Sequence, residues 1–63
     1  PMVGRAYHNL GFLTEEEGNV ERAAELYRRA WEIRLATLGE THPETEESAE
    51  ATRRLDATEP PAP

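Results

Sequence analysis

The chain has 63 residues and no cysteine, so it holds at most one small domain and no disulfide can staple it. Its 13 acids against 7 bases leave a net charge of −6, which argues against a nucleic-acid surface and against an anionic membrane as partner. A domain of this size buries only about 60% of its unfolded surface, so oligomerisation or a neighbouring segment is the expected support.

All seven bases are arginine, and Ala and Pro are frequent, a usage that suits a high-GC bacterial genome. No apolar run approaches the ~20 residues of a membrane span, and no signal peptide opens the chain. The expected location is cytoplasmic. His8 and His42 are the two histidines, too few for a Cys/His zinc site, so neither a metal nor another cofactor is expected.

Three helices follow in chain order. The first is expected over 3–17, with Val3, Ala6, Tyr7, Leu10 and Leu13 at three- and four-residue steps as its buried stripe. Gly18 suits the position just past its end, where a left-handed backbone is needed. Asn19 then reads as an N-cap, opening a second helix over 20–38. Its stripe is Val20, Ala23, Leu26, Tyr27, Ala30, Ile33 and Leu38. Acids early (Glu21, Glu25) and bases later (Arg28, Arg29, Arg34) complement the helix dipole. Gly39 ends it. His42 is a connector and cap residue, and Pro43 takes the first helical position of a third helix over 43–57. That helix has a poor face of Ala49, Ala51, Thr52 and Leu55, which propensity alone does not hold. The tail 58–63, rich in proline, is expected to be extended or disordered.

The loop between the first two helices is so short that they must be antiparallel neighbours. Tyr7, Leu10-Gly11 and Thr14 on the first helix, with Ala23 and Tyr27 on the second, stand at fixed spacing. Gly11 and Ala23 are small enough to let two helix backbones approach, and Tyr7, Leu10 and Tyr27 are expected to fill the volume around them. Ala30 continues the small-residue line. A glycine inside a helix costs about 1 kcal/mol against alanine, and close packing is the usual compensation.

This set resembles the tetratricopeptide repeat signature, with Thr14 standing where the pattern has tyrosine. Packing near the turn is therefore expected to be looser. Leu38-Gly39 and His42-Pro43, with Glu25 to Arg34, resemble the kinesin-light-chain-like subtype over about residues 7–45. The resemblance implies an all-α fold, a fragment of an α-α superhelix: one antiparallel helix hairpin (1–39), then a connector and capping helix (40–57). In the register that starts a new repeat at His42-Pro43, Ala49 falls where Tyr7 stands, and Thr52-Arg53 where Leu10-Gly11 stands. Arg53 is too bulky to admit a partner helix, so the third helix is expected to cap the C-terminal end of an array with a polar outer face.

The resemblance also implies a protein-interaction module in a larger scaffold or sensor array. The first helix of such a repeat lines a concave groove, which places Arg5, His8, Asn9, Phe12, Glu15 and Glu16 toward a bound peptide or protein. In this subtype an asparagine before the Leu-Gly pair, here Asn9, hydrogen-bonds the backbone of an extended ligand. Asn9 is alternatively a solvated helix residue, and Arg5 and His8 either meet an anionic group or form an exposed face. Phe12 either lines the groove or packs on a preceding repeat. Trp31 either packs under the third helix or marks an interface. Glu15-Glu16-Glu17 reads as solvated surface. No nucleophile, base or metal set is present, so an enzyme is not expected. The alternative function is self-association, with homodimers or larger oligomers pairing the open faces around Val3, Ala6, Phe12 and Trp31.

Overall fold

The structure is a computed structural model and describes residues 2–58. It contains α1 (Met2–Glu16), α2 (Val20–Leu38) and α3 (Pro43–Thr58), all α-helical. No helix among the described residues is long and apolar enough to cross a membrane. The bounds of α2 match the expectation. Helix α3 runs on to Thr58, one residue past its expected end. The rest of the expected tail lies outside the described residues.

The α1–α2 corner is a glycine-based stop followed at once by a cap. Gly18 takes φ +90°, a conformation that L side chains rarely adopt. Its N–H donates to the Glu15 carbonyl at 2.9 Å, and the Asn19 N–H donates to the Thr14 carbonyl at 3.1 Å. Together these form a Schellman closure. Asn19 then accepts the Arg22 N–H on its side-chain oxygen at 3.3 Å and opens α2. Glu17 belongs to this turn and not to α1. At the second connection the His42 Nδ1 accepts the Glu44 N–H at 3.1 Å, so His42 caps α3 as its place before Pro43 suggests.

Helix α2 packs against both α1 and α3. Accordingly its buried residues spread beyond a single stripe: Ala23, Ala24, Leu26, Tyr27, Ala30 and Arg34. Tyr27 is 2% exposed, and with Ala23, Ala24, Ala51 and Leu55 it forms the core. Val20 packs against this cluster.

The face that α1 turns to α2 differs from the expected stripe. Its buried residues are Gly4, Gly11 and Thr14. Leu10 is 49% exposed, and Val3 and Leu13 are more exposed still. Ala6 is exposed and Tyr7 only partly buried. Leu10 therefore does not fill the α1–α2 contact. The reason is the closeness of the backbones: a Cβ on Gly11 would lie 3.0 Å from Tyr27 Cδ1 and 3.1 Å from Cε1. The glycines mark the contact line, and the apolar stripe is rotated away from it. Thr14 is buried, and its hydroxyl donates to the Leu10 carbonyl at 2.7 Å, so the shorter side chain is covered and tied down.

Helix α3 buries the expected Ala49, Ala51, Thr52 and Leu55, together with Thr45 and Ser48. The two additional residues are polar, and both are hydrogen-bonded. Arg34 crosses from α2 to meet them. Its Nη1 donates to Ser48 Oγ at 2.9 Å and to the Glu44 carbonyl at 3.0 Å. Thr45 Oγ1 donates back to the Arg34 carbonyl at 3.2 Å, and Thr52 Oγ1 to the Ser48 carbonyl at 2.9 Å. A hydrogen-bonded seam thus replaces the large aliphatics that α3 lacks. Arg53 is exposed.

Two substitutions separate the contact line from the rotated stripe. Gly11→Val forces two methyl groups toward the Tyr27 ring and is expected to destabilise the chain by about 1–3 kcal/mol or more. Leu10→Ala removes a half-exposed side chain and is expected to cost below about 1 kcal/mol. Thermal unfolding followed by far-UV circular dichroism distinguishes the two. Equal losses would return Leu10 to the contact.

Candidate binding groove

Helices α1 and α3 flank α2 on one side, and a groove of about 480 Å³ runs between them. Tyr27 contributes to its lining, with His8 and Phe12 from α1 and Glu46, Glu47, Glu50 and Arg54 from α3. An adjoining recess of about 310 Å³ is lined by Arg5, His8, Asn9, Arg34, Glu44 and Glu47. The structure therefore brings Arg5, His8, Asn9 and Phe12 to one continuous face. Phe12 is 52% exposed there, and Asn9 and Arg5 are exposed as well.

His8 is different. Its ring meets the Tyr27 ring edge-on, with centroids 4.9 Å apart. Nδ1 lies 3.1 Å from Ser48 Oγ, and Nε2 lies 3.6 Å from a Glu47 carboxylate oxygen. It is a bridge between α1 and α3. Burial pulls its pKa below the ordinary 6.5; Glu47 opposes the shift and Arg34 adds to it. At neutral pH the ring is thus held uncharged, and it adds little to an anion site with Arg5.

Glu15 is also engaged, contrary to its reading as solvated surface. Arg54 donates to it twice, at 2.6 and 3.1 Å, and Tyr27 Oη donates to it at 3.1 Å. The Arg54 hydrogen bonds hold the carboxyl below its ordinary 4.5. Burial first, then Glu15, pushes the Tyr27 phenol up to about 12. These shifts keep Glu15 ionised and Tyr27 protonated, the states in which both serve structure. Glu16 is exposed, and Trp31 is partly buried.

Of the signature residues, Gly11, Ala23, Tyr27 and Ala30 are buried at helix contacts. Tyr7 and Leu10 line an apolar patch on the other side of α1. Arg34, which the sequence marks only as a complement to the helix dipole, is buried and bonded to α3. Its side chain is 5% exposed, with Glu47 at 3.5 Å and Glu44 at 3.7 Å. The visible signal is its position on the α2 face that also carries Ala30 and Tyr27, one and two turns earlier.

The His8 environment predicts a pH dependence. Because the folded pKa lies below 6.5, the unfolded chain takes up this proton first as pH falls. Stability linked to His8 is complete above about 6.5 and is lost below it. The Glu15 contribution is present above its ordinary 4.5 and is lost only at lower pH. Melting temperatures measured across this range should show both steps. His8→Gln should remove the upper one and keep the lower. An unchanged upper step would place it elsewhere.

A family model described as tetratricopeptide repeat matches residues 3–44. Repeats of this family mediate protein–protein interaction. The chain matches no curated protein and no solved structure. The matched span takes in nearly all of α1, the whole of α2, the connector and the first residues of α3, and on that basis the chain belongs to the tetratricopeptide repeat family.

Proposed function

We propose that this chain is a protein-interaction unit, of the kinesin-light-chain-like subtype, at the C-terminal end of a repeat array. It serves a cytoplasmic scaffold or sensor and performs no catalysis. The observation that supports this most is the groove between α1 and α3, which presents a half-exposed Phe12 beside the exposed Asn9. Phe12 offers an apolar anchor, and Asn9 offers both a donor and an acceptor to a peptide backbone. Large aromatics of this kind dominate interface energetics when a partner covers them. The ligand is a peptide or a protein segment lying along the groove. The exposed, charged face of α3, with Glu46, Glu50 and Arg53, suits the end of an array.

The test is selection of binders to the intact chain from a displayed peptide library, followed by affinity measurement. Asn9→Ala and Phe12→Ala should each weaken a selected peptide by about 1 kcal/mol or more, with helicity retained. A library that returns no binder, or binders indifferent to both substitutions, would contradict the groove reading.

A further inference from the structure

A second surface, on α1, faces away from the groove. Met2, Val3, Ala6, Tyr7 and Leu10 line an apolar hollow of about 480 Å³. Leu13, 57% exposed, extends the row. The chain itself indicates what this face fits. In the register that places Pro43 at the start of a new repeat, Val3, Ala6, Tyr7, Leu10 and Leu13 correspond to Thr45, Ser48, Ala49, Thr52 and Leu55. Those five are among the six residues that α3 buries; the sixth, Ala51, corresponds to the exposed Asn9. The α1 stripe is therefore the docking face for a helix of the α2 kind.

The same register shows that α2 itself does not fit. Arg34 is accommodated on α3 by the side chains of Glu44, Glu47 and Ser48. Their counterparts on α1 are Met2, Arg5 and Ala6. Only the backbone carbonyl at the Glu44 position carries over. A second α2 seated on α1 would bury its arginine with no side-chain acceptor and beside a like charge. Burying a charge without its partners is strongly unfavourable.

We propose that the α1 stripe docks the second helix of a different repeat, one with an apolar or acidic residue where α2 has Arg34, and rejects a second copy of this chain. An apolar residue there meets Met2, Val3 and Ala6, and an acidic one meets Arg5. The Arg34 seam and the α1 stripe thus act as a mismatched pair. The mismatch fixes the order of repeats and stops the chain from stacking head-to-tail on itself.

The test titrates two synthetic peptides into the intact 63-residue chain. One spans residues 19–39 and the other is the same peptide with Arg34→Leu. Methyl NMR signals of Val3, Leu10, Leu13 and Leu55 report where each peptide binds. The Arg34→Leu peptide is expected to shift the three α1 signals, leave Leu55 unmoved and bind about tenfold tighter or more than the unaltered peptide. A chain carrying Met2→Glu, Arg5→Glu and Ala6→Ser, which copies the α3 receptor onto α1, should reverse that preference. Arg5→Glu alone should reduce it. Equal affinities, a preference of the unaltered chain for the arginine peptide, shifts at Leu55 in place of α1, or no α1 shift with either peptide would overturn the proposal. So would a mass that rises with concentration while the α1 signals broaden, since copies would then be covering the stripe.

Discussion

The Tyr27 ring holds both outer helices to α2. It closes on Gly11 of α1, where a Cβ would lie 3.0 Å from the ring and push it aside by a few tenths of an ångström. The His8 ring packs on it in a T-shaped contact, and its hydroxyl reaches Glu15. On the α3 side it shares the core with Ala51 and Leu55. Burying a side chain of this size is worth roughly 1.5–3 kcal/mol, a large share of what so small a core supplies. Glycine opposite it avoids displacing the ring, so the roughly 1 kcal/mol that Gly11 gives up in helix propensity is offset by close packing.

The second constraint is polar. Helix α3 has one large aliphatic residue, Leu55, in its contact with α2, and the remaining positions are Ala, Ser and Thr. What orients it is the hydrogen-bonded seam about Arg34. Ser48, the Glu44 carbonyl and two carboxylates surround the buried guanidinium. One donor, Nε, has no partner among the described residues. Such a seam adds less net stability than an aliphatic contact of equal area, but it discriminates between registers, since each hydroxyl has one partner position. Docking α3 in that register creates the groove beside α1. The seam therefore links the sequence of a helix with few large apolar residues to the shape of the surface that a partner would meet.

Much of the fold was legible from local chemistry. Gly18, Asn19, Gly39 and Pro43 punctuate the chain by rules that need no tertiary information, and the bounds of α2 followed from them. Gly11, Ala23 and Tyr27 were legible because glycine inside a helix calls for a neighbouring backbone. The orientation of α1 was not legible. Periodicity identifies an apolar stripe but not which neighbour it faces, and here the stripe of Val3, Leu10 and Leu13 faces away from α2. The roles of His8, Glu15 and Arg34 were likewise hidden. Each depends on a partner in another helix, which spacing along one helix does not reveal. Phe12, Asn9 and Arg5 share one face of α1 as their spacing suggests, but the groove beside them exists only because α3 docks there.

The account rests on Tyr27 serving α1 and α3 at once, and amide hydrogen exchange of the chain and its Tyr27→Leu variant tests this directly. Leucine retains an apolar side chain but leaves a gap over Gly11 and removes the hydroxyl from Glu15. The account predicts that amides in α1 and α3 lose protection together and by similar factors. Loss confined to one of the two helices, or protection unchanged in both, would contradict it.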